Sequence, residues 1–322
     1  MASPKITSPS PDSKTATPPG APKTPPAAGS RPTLPAAPGR SAPVRVAKTF
    51  RVEPWVAKGE GEKIILVGTS GVGKTSLAAM APEPVFIGLD DGARKIGDPR
   101  TGKPVLHIPG VESFDDLRDA IRTPSIFTGR KSVVIDTITK AEELAEPWVL
   151  ANYKTEKGNV PKSLEHYGWG KGYKHLQEAM RLLQQDFDIL IRQGINVILL
   201  AQESAITVPN VEGADFLQAG PKLTHTKQFS VRLDYQEWAD HVVRIGYMDT
   251  TVVATDGAKA GKLVNTEGAT QRAIFTAEAR HFFAKNRGVL NRETGIREAL
   301  PPVISFENPA DDSFWQILFP QA

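Results

Sequence analysis

One glycine-rich segment, residues 65–77 with the sequence ILVGTSGVGKTSL, constrains this chain more than any other feature. Three apolar residues precede a stretch with three glycines, and Lys74 and Thr75 follow directly. Glycine loses more backbone freedom on folding than any other residue, so its repeated use here indicates that a ligand approaches the bare backbone. The adjacent lysine indicates that this ligand is negatively charged.

The segment fits the pattern G-x-x-x-x-G-K-[ST] at every fixed position, between a predicted buried strand and a predicted helix. In this context the backbone N–H groups point at a phosphate, and the positive end of the helix adds to the attraction. We therefore expect the loop to bind a nucleoside triphosphate through Gly68, Thr69, Ser70, Gly71, Val72, Gly73, Lys74, Thr75 and Ser76.

Within this loop, Lys74 is expected to reach the β- and γ-phosphates, and the Thr75 hydroxyl to ligate Mg²⁺. Asp136 ends the apolar run SVVID, so a buried strand would deliver its carboxylate to the same magnesium ion. The predicted cofactors are ATP and Mg²⁺.

Composition excludes several other classes of protein. The 322 residues are 40% hydrophobic and 23% charged, and there is no cysteine, which excludes disulfides and cysteine-based metal sites. The six histidines show no metal-ligand spacing, and no apolar run approaches the ~18–20 residues of a membrane span. We expect a cytoplasmic protein with no membrane contact (in the cytoplasm of the host cell if a phage encodes it).

The first 48 residues differ in composition from the rest and are predicted to be a disordered tail. Residues 1–50 contain 12 of the 27 prolines, and seven basic residues against one acidic residue. The net charge of +3 therefore divides into +6 for this segment and −3 for the remainder. A solubilising tether is the plain interpretation of the tail, and an electrostatic arm for nucleic acid or a partner is the alternative.

Residues 49–322 alternate strand-like and helix-like patterns, which predicts one α/β domain with a mostly parallel central sheet flanked by helices. The predicted strands are 63–68, 84–92, 104–108, 131–137 and 196–202, and then 241–248, 251–255 and 272–276, which we expect to be antiparallel. A polar loop is expected from 203 to 229. The predicted helices cover 75–81, a segment opened by a capping box of Ser113 and Asp116, and an apolar face formed by Leu176, Met180, Leu183, Phe187 and Leu190.

A phosphate site alone does not name the reaction. The D-x-x-G and N-K-x-D motifs of GTPases and the arginine-rich lid of small-molecule kinases are not found, which favours ATP. Asp90, or its neighbour Asp91, follows the second strand, where a carboxylate could polarise attacking water. Gln202 ends a later strand and is suited to sensing the γ-phosphate. Lys285 and Arg287 form a basic pair near the end of the fold.

The stretches VVIDTIT, ILLAQES and AKNR resemble the RecA-type ATPase core, and FIGLDDGA, YGWGKGYKHL and AKNRG resemble phage-encoded nucleotide-binding proteins of that superfamily, some of which serve in single-strand annealing recombination. The resemblance implies a RecA-like fold over about residues 60–305. It also implies a homo-oligomer in which Lys285 and Arg287 stabilise the transferring phosphoryl group of a neighbouring subunit. RecA-type enzymes usually carry glutamate where this chain has Asp90, which implies slow turnover.

Two stretches are candidates for binding single-stranded DNA. Residues 159–175 interleave lysines with Tyr167, Trp169 and Tyr173, and the loop after Gln202 ends in KLTHTKQF. Basic residues that follow phosphates and rings that stack on bases are what such binding requires. The plain alternative is that these aromatic side chains pack onto the body of the protein.

The sequence thus predicts a P-loop ATPase that acts on single-stranded DNA in phage recombination or replication. The first alternative is a slow nucleotide-dependent switch or scaffold, recruited through its Pro-rich tail to an ssDNA-binding or replication protein. A phosphotransferase acting on a small molecule is the second alternative.

Overall fold

The computed structural model of the chain describes residues 51–52, 59–90, 96–210, 213–248, 251–253, 263–265, 271–290, 296–306 and 308–320. The chain divides into one unit, Met1–Trp55, and a second unit, Val56–Ala322. All described helices and strands belong to the second unit. The tail predicted to be disordered, residues 1–48, lies outside the described residues.

The described strands are numbered in chain order. They are β1 (Lys63–Gly68), β2 (Pro84–Gly88), β3 (Leu106–His107), β4 (Ser132–Asp136), β5 (Asn196–Val208), β6 (Phe216–Pro221), β7 (His241–Tyr247), β8 (Thr251–Val253), β9 (Leu263–Asn265), β10 (Arg272–Phe275), β11 (Lys285–Asn286), β12 (Val289–Leu290), β13 (Arg297–Glu298) and β14 (Val303–Phe306).

Ten of these strands form one sheet with the order β14-β10-β7-β1-β5-β4-β2-β3, to which β6 adds beside β5 and β11 beside β7. The strands β12 and β13 form a separate pair, as do β8 and β9. The strands at the centre are apolar along almost their whole length, and all five residues of β4 are buried. This is the composition of parallel strands that are covered on both faces.

The registers bring the ends of the central strands together. Gly68 at the end of β1 pairs with Gln202 of β5, and Gly88 at the end of β2 pairs with Asp136 of β4. Because these strands are parallel, their last residues lie along one side of the sheet, which we call the carboxyl-terminal edge. The side where these strands begin is the amino-terminal edge.

The late strands differ in part from the prediction. β10 pairs antiparallel with β7 and with β14, as expected for 272–276. β7 is antiparallel to β10 and β11, but it pairs with β1 in parallel, with Ile64 opposite His241, so the antiparallel direction predicted for 241–248 is wrong toward the centre of the sheet. The cause is a helix at Val231–Trp238 that the pattern did not reveal, since it carries the chain back to the amino-terminal edge before β7 begins.

The polar loop expected from 203 to 229 is largely a β-hairpin. β5 continues to Val208 and pairs antiparallel with β6, with Glu203 opposite Pro221. In this extension every second residue is more exposed, as in a strand with one face in solvent. The segment therefore lacks the continuous apolar run of a buried strand, and its sequence resembles a loop.

Six described α-helices connect and cover the strands, and two short 3-10 helices are found at Pro124–Phe127 and Leu164–Tyr167. The α-helices are α1 (Lys74–Ala79), α2 (Phe114–Ile121), α3 (Ile138–Asn152), α4 (Lys171–Arg192), α5 (Val231–Trp238) and α6 (Ser313–Leu318). None of the described helices is both long and apolar enough to cross a membrane.

Two helix predictions are confirmed in detail. The Ser113 hydroxyl accepts a hydrogen bond from the Asp116 N–H, and the Asp116 carboxylate accepts one from the Ser113 N–H, so the capping box opens α2. The predicted apolar face of α4 is buried at all five positions, Leu176, Met180, Leu183, Phe187 and Leu190. The sequence patterns did not predict α3, α5 or α6.

The core lies on both faces of the sheet. On one face, α2, α3, α4 and α5 pack against β1, β4 and β5. On the other face, α1 and α6 pack against β1, β7 and β14. The predicted α/β class, with a mostly parallel sheet flanked by helices and late antiparallel strands, is therefore confirmed.

Candidate nucleotide-binding site

The glycine-rich loop joins the end of β1 to the start of α1. Gly71 and Gly73 have φ angles of 77° and 107°, in the region that favours glycine. Gly68 lacks a side chain for a different reason, since a β-carbon there would lie 2.7 Å from the carbonyl oxygen of Ile245. The loop can therefore turn sharply against the sheet and leave its backbone open to a ligand.

Lys74 lies inside this loop and is 7% exposed. Its Nζ donates hydrogen bonds of 2.8 Å to the carbonyl oxygens of Gly68 and of Thr69. Burial lowers the pKa of the Lys74 amine, while Asp136, Glu203 and Asp90 act in the opposite direction. The ammonium group is thus held at the mouth of the loop, among carboxylates, where the phosphates are expected.

Thr75 and Asp136 meet as the sequence predicts. The Thr75 hydroxyl donates to Asp136 Oδ2 at 2.9 Å, although the two residues are 61 positions apart in the chain. The peptide bond that follows Asp136 is cis. Burial raises the pKa of Asp136 to about 6, and the nearby Asp90 adds to this, whereas the Thr75 hydrogen bond and Lys74 lower it.

A hydroxyl and a carboxylate in contact form the hard oxygen donor set that Mg²⁺ prefers, and Mg²⁺ usually takes its other ligands from phosphates and water. The paired oxygens of Thr75 and Asp136 therefore fit the predicted ion. A bound cation would also offset the cost of burying the Asp136 carboxylate in its charged form.

These residues line a cleft of about 300 Å³ at the carboxyl-terminal edge. The sequence-predicted residues Asp90 and Gln202 also line it, so the structure brings them to the phosphate loop. Asp91 lies outside the described residues. The full lining consists of Ser70, Gly71, Gly73, Lys74, Thr75, Ser76, Asp90, Ile96, Asp136, Thr137 and Gln202.

The backbone of Gln202 is fixed on both sides. Its N–H donates to the Thr139 hydroxyl at 3.2 Å, and its carbonyl accepts from the Lys222 N–H at 2.7 Å. The Thr139 hydroxyl in turn donates to the Lys222 carbonyl at 3.1 Å. Gln202 therefore connects the cleft to the start of the loop that follows β6.

The structure does not bring Lys285 and Arg287 to the cleft of their own chain. β11 pairs with the first residues of β7, with Lys285 opposite Val242, and β7 is parallel to β1. The pair therefore lies at the amino-terminal edge, whereas the phosphate loop follows the other end of β1.

Both cations have partners there. Lys285 Nζ donates to the carbonyl oxygens of Gln236, Glu237 and Ala239, at 3.0, 2.9 and 2.7 Å. These three residues are at the carboxyl-terminal end of α5. Arg287 forms an ion pair of 3.1 Å with Asp240. A role for the pair in a neighbouring subunit stays a prediction.

Sequence reasoning missed one charged pair close to Lys74. Glu203 follows Gln202 directly and accepts a hydrogen bond of 2.5 Å from Arg244 Nε. Behind the pair, the fully buried Arg232 donates to the carbonyl oxygens of Ser204 and Gln218. Burial lowers the pKa of Arg232 to about 10, with Glu203 opposing the shift. The position of Glu203 beside Gln202 is the available signal, but the polar residues from 203 onward predict a loop.

The chain has the features that define a P-loop nucleotide-binding protein. A phosphate-binding loop joins a strand to a helix, and the aspartate that ends a second strand accepts a hydrogen bond from the threonine that follows the loop. The model of the family described as AAA domain matches residues 60–288. The chain belongs to this AAA domain family, which consists of P-loop NTPases.

No curated protein matches the chain. Among solved structures, the chain is similar to a KaiC-like protein from the hyperthermophilic archaeon Pyrococcus horikoshii OT3, with 15% sequence identity and a TM-score of 0.35. That match covers 77% of this chain and 91% of the archaeal chain.

Proposed function

We propose that this protein binds and hydrolyses ATP with Mg²⁺ and uses the cycle to act on single-stranded DNA in phage recombination or replication. One observation carries the nucleotide part of the proposal. Lys74, Thr75 and Asp136 converge on one cleft through a 2.9 Å contact between residues that are distant in the chain. Mg²⁺ bound there would neutralise charge on the β- and γ-phosphates during transfer.

The residues of this chain have distinct roles in the proposed reaction. The loop amides and Lys74 hold the phosphates, and Asp90 orients or deprotonates the attacking water. Gln202 lines the same cleft and would register the γ-phosphate. Because aspartate is one methylene shorter than the usual glutamate, we expect turnover to be slow.

The two stretches proposed for DNA binding adjoin each other. A β-carbon on Gly170 would lie 3.5 Å from the ring of Phe229, which ends the loop after β6. Between Gly168 and Gly170, Trp169 is 92% exposed and has a φ of 51°, unusual for a non-glycine residue. A large aromatic ring is thus presented to solvent beside a second aromatic residue, an arrangement suited to stacking on unpaired bases.

The other aromatic residues of this surface are engaged in the fold. Tyr167 is buried and donates to the carbonyl oxygens of Val149 and Tyr153, and Tyr173 donates to Glu165 at 2.6 Å. These contacts support the packing alternative for Tyr167 and Tyr173, so the proposed DNA contact depends on Trp169.

Charge favours a polyanion at this place. Residues 154–178 contain five lysines and three glutamates, and residues 222–229 contain two lysines and no acidic residue. The surface therefore has a formal charge of +4, although residues 51–322 together have −3. Lys171 and Lys174 pair with Glu156 and Glu178, so part of this charge is already neutralised. We expect moderate affinity that falls with salt.

The proposed DNA surface is also connected to the cleft. Gln202 binds the backbone of Lys222, and both oxygens of the Glu142 carboxylate accept from the Thr224 N–H at 3.0 Å. A shift of Gln202 on ATP binding would therefore move the start of the 222–229 loop. This supports DNA-dependent hydrolysis over hydrolysis that ignores DNA.

The test measures ATP hydrolysis with and without single-stranded DNA. We expect severalfold stimulation by DNA in the wild type and loss of hydrolysis in Lys74→Ala. Trp169→Ala should weaken DNA binding about tenfold and leave basal hydrolysis unchanged. Leu106→Ala, which truncates another exposed apolar residue, is the matched control and should change neither property. Wild-type hydrolysis that does not respond to DNA would contradict the DNA part of the proposal.

A nucleotide-dependent switch or scaffold is the second candidate, favoured by the aspartate at position 90. It would bind ATP, hydrolyse it slowly, and reach an ssDNA-binding or replication protein through the N-terminal tail. Solution mass measured with ADP and with a non-hydrolysable ATP analogue separates the two, since the proposed ATPase forms a homo-oligomer that shares its sites. A nucleotide-independent monomer would favour the switch.

A further inference from the structure

The strand order indicates where the nucleoside part of ATP lies. The groups expected to contact Mg²⁺ and the γ-phosphate come from the ends of β2, β4 and β5, which lie on one side of β1. On the other side of β1 the order continues with β7, β10 and β14. With the γ-phosphate beside these groups, the α-phosphate and the base of a bound nucleotide would extend past β1, toward this second half of the sheet.

One cationic side chain of this second half of the sheet lies beside the phosphate-binding loop. Arg272, the first residue of β10, places Nη1 3.5 Å from the carbonyl oxygen of Val72. A β-carbon on Gly73 would lie 2.8 Å from the same nitrogen, so the absence of a side chain at Gly73 leaves room for the guanidinium. Arg272 is therefore in contact with the outside of the phosphate loop.

The guanidinium lies against an aromatic ring. Arg272 Cζ is 5.0 Å from the centroid of Phe306, its directly opposite neighbour on β14. Tyr247 is directly opposite on β7 and is 47% exposed. Directly opposite residues of antiparallel strands share one face of the sheet, and Phe306 packs in the same cluster as Val72, so all three side chains belong to the face that α1 covers.

The arginine has no acidic partner within the described part of the chain, where its contacts are the Val72 carbonyl and the Phe306 ring. This differs from Arg244, which is near the same edge and is paired with Glu203. A planar cation without a carboxylate, placed over one aromatic ring, is suited to stack on a second planar ring.

We propose that Arg272, supported by Phe306 and flanked by Tyr247, forms the base-binding wall of the nucleotide site and stacks on the purine of ATP. The inference rests on the proposed nucleotide-binding function and extends it to recognition of the base. Arg272 is thus a specificity-determining residue and takes no part in phosphoryl transfer.

The test compares two ligands that share a triphosphate and differ in the nucleoside. Dissociation constants for Mg-ATP and for magnesium tripolyphosphate are measured by calorimetry on the wild type and on Arg272→Ala. We expect Arg272→Ala to weaken Mg-ATP about fivefold to tenfold and to leave tripolyphosphate unchanged. Arg280→Ala is the matched control, because Arg280 lies 5.3 Å from the centroid of Phe216, away from the loop, and should not affect either ligand.

The remaining outcomes overturn the inference. Equal weakening of both ligands would make Arg272 a phosphate contact or a support for the loop, and no weakening of either would remove it from the site. If Arg272→Ala does not fold, Arg272→Lys keeps the charge without the planar group and should still weaken Mg-ATP selectively. Failure of the wild type to bind Mg-ATP would refute the proposed function itself, which distinguishes the two failures.

Discussion

Both edges of the central sheet carry a lysine that donates to backbone carbonyl oxygens, but the two lysines have different surroundings. At the carboxyl-terminal edge, Lys74 binds two carbonyls of a glycine-rich loop and borders a cleft of about 300 Å³ with Asp136. At the amino-terminal edge, Lys285 binds three carbonyls at the end of α5, and Arg287 pairs with Asp240. The hydrogen bonds are alike, so they do not reveal function. The cleft and the direction of the strands distinguish a ligand site from a helix cap.

The largest expected effect lies at the carboxyl-terminal edge. Asp136→Asn should lower kcat for ATP hydrolysis on the order of 100-fold, because the carboxylate that fits Mg²⁺ is removed. It should not lower the melting temperature, since burial already disfavours the charged form of Asp136, whose pKa is raised to about 6. Hydrolysis measured against Mg²⁺ concentration, together with thermal unfolding, checks both expectations. An unchanged Mg²⁺ dependence would show that the ion is held elsewhere.

At the amino-terminal edge we expect a loss of stability without a loss of hydrolysis. Lys285→Ala removes three hydrogen bonds to the end of α5 and should lower the free energy of unfolding by about 2 kcal/mol. If the contacts within its own chain are the whole role of Lys285, hydrolysis by the remaining folded protein should be unchanged. Arg287→Ala should cost less than about 1 kcal/mol, because the arginine of its ion pair is largely exposed. Denaturant unfolding and ATP hydrolysis of both variants provide the measurements.

This comparison fails if Lys285 acts on a neighbouring subunit. In that case Lys285→Ala would abolish hydrolysis without loss of stability, and mixing it with Lys74→Ala chains would restore part of the activity. Lys285→Arg is the control, because a second long cation could keep the contacts with the carbonyls that end α5.

The parts of the structure predicted from sequence are those in which the signal is local. The bounds of β1 were predicted as Lys63–Gly68. The contact between Thr75 and Asp136 follows because the loop after β1 and the end of β4 share an edge of the sheet. α3 was missed because its buried positions include Ala141 and Ala145, which give a weak apolar face, and because Pro147 lies inside it. When the buried positions of a helix are alanines, its apolar periodicity is weak and the sequence does not predict a helix there.

The direction of β7 and the place of Lys285 depend on the path of the whole chain. Only the return through α5 makes β7 parallel to β1, and β11 then pairs at the start of β7 and not at its end. The Arg272–Phe306 contact joins residues that are 34 positions apart, on two different strands, and the sequence offers no motif for it. Site residues supplied by pairing between distant strands were therefore not predicted.

The smallest expected effect compares one carboxyl group near each edge. Burial raises the pKa of Glu142 to about 7, against the hydrogen bonds from Thr224. Burial acts in the same direction on Glu62 at the other edge, but His241 and Arg297 outweigh it, and the pKa of Glu62 is lowered. Between pH 4.5 and pH 7 the folded state thus keeps a proton at Glu142 that the unfolded state has released. As the pH rises, Glu62 loses its proton at a lower pH in the folded state than in the unfolded state.

The two groups therefore act on stability with opposite signs. The contribution of Glu142 is favourable below pH 4.5, where both states are protonated, and it is lost as the pH rises toward 7. The contribution of Glu62 is present above pH 4.5 and is lost as the pH falls. Relative to the wild type, Glu142→Gln should gain about 1 kcal/mol of stability between pH 5 and pH 6, measured by urea unfolding. Glu112→Gln, which changes an exposed glutamate outside α3, is the control and should give no such trend. A difference between Glu142→Gln and the wild type that does not change with pH would mean that Glu142 is charged in the folded protein over this whole range, and that its hydrogen bonds with Thr224 outweigh burial.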